Sequence, residues 1–276
     1  MADRRNEDCK ITPEMANRNL LVSRFYSQMN FYKLIKRLVI DSQIFVSLMG
    51  TSLAVFFFLQ QGVFRLPATL LIFITYLCGY LYTKYQSSKY FLAVLLLCGF
   101  SALVCIAFII YNHNLPTLLK WVFIVILGLF YNSSFLAIYI RRIPLLKIFY
   151  VGLVWALVNS WLVFEALNIP VFFISFFFVS ALVLPFDIRD MNDDEVLTFP
   201  KIIGVRNTKI LALLMLLAAQ ILGFFYLPNP YATAFSGAVG VSLFFVLFSK
   251  TSNPESYFSI GVESCCGLPF ILLLFL

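Results

Sequence analysis

The apolar run VFFISFFFVSALVLP, residues 171–185, passes without a break into FDIRDMNDDEVLTFPKIIG, residues 186–204. With its neighbours, the first part is long enough to cross a bilayer, because about 20 helical apolar residues span ~30 Å of hydrocarbon. The second part holds Asp187, Asp190, Asp193, Asp194 and Glu195, five of the chain's 13 carboxylates. A helix turning about 100° per residue places Asp187, Asp190 and Asp194 within roughly 60° of one another, with Arg189 facing away. Three carboxylates on one face repel unless a cation sits among them. Hard divalent ions such as Mg²⁺ bind through oxygen and bridge carboxylates to substrate phosphates. The stretch therefore reads as a metal site, with Asp187, Asp190 and Asp194 as ligands; a solvated acidic loop at a helix end is the alternative.

Working outward, composition agrees with a membrane setting. Of 276 residues 62% are hydrophobic and 12% charged, where soluble domains carry about 25% charged residues. The mean hydropathy is +0.93. The expected class is an all-α polytopic membrane protein. Cys9, Cys78, Cys98, Cys105, Cys265 and Cys266 form no CxxC pair and no ligand spacing with His113, the one histidine. Zinc and disulfide frameworks are not expected.

Residues 1–37 form a separate N-terminal segment. Its first 19 residues are polar and aperiodic, and residues 20–37 mix large apolar side chains with Arg24, Lys33, Lys36 and Arg37. That mixture suits a basic interfacial helix facing anionic lipid. It lacks the apolar core and cleavage site of a signal peptide. Residues 38–276 divide into nine apolar stretches, near 38–59, 67–83, 90–111, 117–140, 144–165, 169–188, 207–227, 231–249 and 257–276. The breaks between them carry Gly, Pro, Asn or charge and are short, so successive helices are expected to pack antiparallel. No soluble domain, internal repeat or low-complexity tract stands out.

Lys and Arg set the orientation, since cytoplasmic loops carry the excess. With the N-terminus inside, 18 of the 20 Lys and Arg fall on the inner side, and only Arg65 and Lys120 fall outside. The protein is thus expected in the cell membrane, with N-terminus and Asp-rich loop cytoplasmic. Lys84, Arg141, Arg142, Lys147, Lys201 and Arg206 then flank the acidic helix end. Carboxylates, a metal and cations together suit a diphosphate: the metal bridges, and Arg and Lys take the remaining oxygens. Each cation taken singly is also what the charge rule alone produces. Glu263 lies about two turns into the last stretch, a depth at which a carboxylate is a candidate functional group. Asn132, Asn159 and Glu165 are read as hydrogen-bonding glue between helices.

The motif Arg189-Asp190-x-x-x-Asp194, followed by Thr198-x-Pro200-Lys201-x-x-Gly204, resembles the second aspartate-rich region of the UbiA superfamily of intramembrane prenyltransferases. Tyr139-x-Arg141-Arg142 to Trp155 is similar to that family's basic approach to its fifth helix. The resemblance covers about 38–276. It implies a nine-transmembrane-helix bundle around a central cavity and Mg²⁺-dependent transfer of a prenyl group. The donor would be an isoprenyl diphosphate and the acceptor a lipid-soluble molecule, with Asp190 and Asp194 catalytic. The family's first region, NxxxDxxxD, is missing. Tyr76, Tyr80 and Lys84 stand at its i, i+4, i+8 phase, and no Asp or Glu occurs between Asp41 and Glu165. Tyr76, Tyr80, Lys84, Arg141, Arg142, Lys147, Lys201 and Glu263 are therefore taken as substrate-binding candidates. Asp187, Asp190 and Asp194 are expected to face an internal cavity open toward the cytoplasm, with Tyr76, Tyr80 or Lys84 across it.

The function read from the sequence is a UbiA-like prenyltransferase. A catalytically degenerate relative that binds isoprenoid lipid or acts as a scaffold is the alternative. A transporter would need more polar residues or helix breaks near the midplane, and a CDP-alcohol phosphotransferase needs a DxxDGxxAR pattern that this chain lacks. Nucleic acid is not an expected partner.

Overall fold

The computed structural model describes residues 43–62, 64–86, 88–112, 114–130, 145–192 and 197–276. The N-terminal segment 1–37, together with Arg141, Arg142, Asp193, Asp194 and Glu195, lies outside the described residues. So do Asn132 and His113.

Every regular element among the described residues is a helix. In chain order these are α1 (Ile44–Gln60), α2 (Leu66–Tyr85), α3 (Phe91–Tyr111), α4 (Leu115–Phe130), α5 (Leu146–Leu157), α6 (Ile169–Arg189), α7 (Phe199–Tyr226), α8 (Tyr231–Phe248) and α9 (Glu263–Leu273). A wider π-helical turn, Val158–Leu162, extends α5, and another, Tyr257–Val262, leads into α9. Five of the helices are long and apolar enough to cross a membrane, and the other four are shorter apolar helices.

The exposed surface shows the solvent these helices suit. Leu92, Leu96, Phe100 and Leu103 on α3 are all more than 60% exposed. Only 11% of that helix's most apolar stretch is buried, against 56% for α6. A helix apolar all round yet uncovered belongs in lipid rather than water, since soluble monomers rarely expose such contiguous surface. These elements are those of a multi-pass membrane protein.

Each helix packs on the next in the chain, and α9 returns onto α1, so the nine close into a ring. Within it α6 touches α5, α7, α8 and α9. Its start is fixed by Asn168, whose side-chain oxygen accepts a hydrogen bond from the Val171 backbone N–H at 3.1 Å, with Pro170 in the first turn. Such a cap satisfies a backbone donor that the helix cannot. α5 approaches α6 closely because position 152 has no side chain: a Cβ on Gly152 would stand 2.1 Å from Ser180 Oγ.

The alternation of short-looped helices gathers the ends of α2, α6 and α8 with the starts of α5, α7 and α9. Lys147 at the start of α5 pairs with Asp187 near the end of α6, and Lys209 early in α7 donates to the Leu247 carbonyl late in α8. At the opposite end Lys120 donates to the carbonyls of Phe164 and Glu165, and Gln61 donates to that of Val163.

Two expectations change. The span placed at 207–227 begins earlier, at Phe199, because Thr198 and Pro200 start a helical turn that bends at Gly204 (φ 79°, ψ 158°) before continuing to Tyr226. The span placed at 117–140 is helical over Leu115–Phe130, and its remainder lies outside the described residues.

Candidate functional site

Among the described residues α6 stops at Arg189, and Asp190–Asn192 form a tighter 3₁₀ turn. Pro185 lies one turn before the end of α6; lacking an N–H, it cannot bond the carbonyl four residues earlier, and it loosens the helix there.

Asp187 is only 2% exposed, and its carboxylate lies 3.2 Å from the Lys147 ammonium of α5. Burying a carboxylate without a counter-charge is costly, and Lys147 supplies one. Arg189 corrects the expectation that it faces away. Its guanidinium folds back on Asp190 through two hydrogen bonds of 2.6 and 2.9 Å. The same group lies 5.2 Å from the Phe186 ring centre and 5.5 Å from that of Phe258. A planar guanidinium makes a bidentate carboxylate contact and a ring contact together, which an ammonium cannot.

Glu263, at the start of α9, is mostly buried and lies within electrostatic reach of both Arg189 and Lys84, the cation in the last turn of α2. Glu255 also acts on Arg189. The structure thus brings Lys84, Lys147, Asp187, Arg189, Asp190 and Glu263 to one end of the bundle. Lys201 sits in the first turn of α7 at the same end and is exposed. Just before it, Thr198 is 4% exposed and its hydroxyl has no hydrogen-bond partner among the described residues.

Tyr76, Tyr80 and Lys84 do run in i, i+4, i+8 phase along α2. Tyr76 is 6% exposed and packs on Trp155 with ring centres 4.7 Å apart. Tyr76 and Tyr80 line an apolar cavity of about 550 Å³ bounded by α2, α3, α4 and α5. No residue of α6 lines it. Of the helices that form its wall, α5 is the one that packs closely on α6.

Among the described residues no three His, Cys, Asp or Glu side chains group closely enough to hold one metal ion. Asp187 and Asp190 are oxygen donors of the right chemistry for Mg²⁺; Asp194, the third of the set, lies outside the described residues. Two contributors escaped the sequence reading. Glu255 did so because it reaches Arg189 from the start of another helix, which local spacing cannot show. Gly79, Gly99 and Gly128, which open the cavity wall, did so because a glycine in an apolar helix carries no chemical signal of its own.

Compared with known proteins, the chain matches no family model, no curated protein and no solved structure.

Proposed function

We propose that this protein is an intramembrane prenyltransferase of the UbiA kind. Nine spans would cross the cell membrane with the N-terminus and the acidic end cytoplasmic. An isoprenyl diphosphate would be held there, and its prenyl group transferred to a lipid-soluble acceptor. The observation that carries this reading is the convergence, at one end of an apolar bundle, of the buried Asp187–Lys147 pair with Arg189, Asp190, Glu263 and Lys84. A diphosphate carries several negative oxygens and needs cations and a bridging metal to meet them, while its hydrocarbon needs an apolar surround. Mg²⁺ held by Asp187, Asp190 and Asp194 would supply electrostatic stabilisation as the diphosphate leaves. Lys84, Lys147, Lys201, Arg141 and Arg142 would take the phosphate oxygens that the metal does not. Lys84 stands where the family's first cluster has a carboxylate, so this end would rely on a protein cation in place of part of that cluster.

A second reading is favoured by one specific feature. Asp187 and Asp190 already have protein cations, Lys147 and Arg189, so a metal joining them must share or displace those partners. A non-catalytic relative that binds isoprenoid lipid needs no metal, and the carboxylates would then serve only to hold α5, α6 and α9 together.

Equilibrium binding of radiolabelled geranylgeranyl diphosphate to purified protein separates the two. The transferase reading expects saturable binding that Mg²⁺ strengthens at least tenfold and that Asp190→Asn abolishes. Binding indifferent to Mg²⁺ and to that substitution would favour the second reading.

A further inference from the structure

Arg189 stands between two sets of carboxylates. Its Nε and Nη2 donate to the two oxygens of Asp190. The pair is not sealed off, since the side chains are 33% and 28% exposed. The guanidinium also lies over the rings of Phe186 and Phe258, whose centres are 6.0 Å apart. Phe186 belongs to α6 and Phe258 to the π-helical turn before α9, so the two rings form a shelf joining those elements. A ring attracts a cation across its whole face, whereas a carboxylate fixes the direction of the fork. The guanidinium is thus oriented by Asp190 and free to turn on the shelf.

The same shelf leads to Glu263. The Glu263 backbone N–H donates to the Phe258 carbonyl, five residues back. In an α-helix, residues five apart stand about 140° from one another. The wider i→i+5 turn brings Glu263 round toward the face that carries Phe258, and such turns recur at functional sites. Glu263 and Glu255 both act electrostatically on Arg189. Glu263 is mostly buried, and among the described residues no hydrogen bond or ion pair reaches its carboxylate; Arg189 and Lys84 act on it through space. A carboxylate in that condition is costly to bury.

We infer that Arg189 is a latch on Asp190: it holds that carboxylate closed to a divalent cation, and opens it by transferring its guanidinium to Glu263. An ion arriving at either Asp190 oxygen meets the guanidinium's positive charge, so the two compete. The transfer satisfies both ends. Asp190 exchanges one cation for another, Glu263 gains the partner it lacks, and Phe258 stays beneath the guanidinium throughout. The inference rests on the proposed reading of Asp190 as a metal ligand, and adds that the neighbouring residue closes the site at rest.

The test is binding of Mn²⁺, an ion suited to carboxylate oxygen, to full-length protein in nanodiscs of neutral lipid without any diphosphate. The electron paramagnetic resonance signal of free Mn²⁺ reads the affinity, and a melting transition shows that each variant is folded. Wild-type protein should bind weakly, and Asp190→Asn should abolish that binding. Arg189→Gln should bind about tenfold more tightly, the worth of one charge-assisted hydrogen-bonded pair. Arg189→Lys, which keeps the charge but cannot hold both oxygens, should bind about threefold more tightly and carries the comparison if the glutamine variant does not fold. Glu263→Gln should weaken binding about fivefold in the wild-type background and leave it unchanged in the Arg189→Gln background, because no guanidinium then needs a new partner. Equal affinity of the wild type and the Arg189 variants overturns the latch and leaves the metal reading intact. If Glu263→Gln weakens binding equally in both backgrounds, Glu263 is a ligand of the ion itself and the transfer fails. Binding that survives Asp190→Asn, or none by the wild type and the Arg189 variants alike, removes the metal reading and the latch with it.

Discussion

Asp187 and Lys147 share an ion pair but not an environment. The carboxylate is 2% exposed, whereas the lysine side chain is 38% exposed. Removing either partner therefore has unequal consequences. In Asp187→Asn the lysine can turn to solvent, and thermal melting in detergent should show a loss of about 1 kcal/mol. In Lys147→Met a buried carboxylate is left stranded, and the same measurement should show about 3 kcal/mol. Equal losses would mean that the pair is not what keeps Asp187 in place. Part of this cluster was legible in the sequence: the acidic run stands out by local spacing and Glu263 by its depth in an apolar stretch, whereas Tyr76, Tyr80 and Lys84 were singled out only through the family resemblance. Arg189 did not follow. A wheel at 100° per residue places Cβ atoms and ignores a long guanidinium that folds back on Asp190 where the helix ends.

At the scale of elements, two glycines hold the helices in their arrangement. Gly204 bends α7 with φ of 79° and ψ of 158°, a region open essentially only to glycine. Gly204→Ala should cost about 1–3 kcal/mol and shift the turn carrying Thr198 and Lys201; an unchanged melting temperature would contradict this. Gly152→Ala pushes a methyl group into Ser180 Oγ and should destabilise by about 1–3 kcal/mol, as overpacking does. Adding Ser180→Ala removes the atom in the way and should recover most of the loss, whereas equal instability of the single and double variants would argue against a tight α5–α6 contact. The order of the apolar helices among the described residues was readable because lipid demands long apolar runs and the breaks carry Gly, Pro and charge. The early start of α7 was not, since Lys201, Arg206 and Asn207 resemble a loop by composition although they continue a helix beyond the apolar core. The π-helical turns at Val158–Leu162 and Tyr257–Val262 also left no mark in the sequence, because packing rather than composition imposes them.

Across the whole molecule, charge and topology make a joint statement. On the nine-span reading, 18 of the 20 Lys and Arg fall on one side and the two termini on opposite sides. A reporter fused before Met1 should be cytoplasmic, and one fused after Leu276 should lie across the membrane; both on one side would contradict the nine-span reading. The closing of the ring by α9 on α1, and the cavity among α2 to α5, were beyond the sequence, since both depend on which distant helices meet. In the proposed function the acidic end would handle an isoprenyl diphosphate with a metal. Its most direct test is Mg²⁺-dependent release of inorganic diphosphate from farnesyl and geranylgeranyl diphosphate, in membranes supplied with lipid-soluble aromatic acceptors. The account predicts release that chelation stops and that Asp190→Asn and Asp194→Asn each slow by roughly 10²-fold or more, the cost of losing a charged metal ligand at the transition state. No Mg²⁺-dependent release by the wild-type protein with either donor would contradict it.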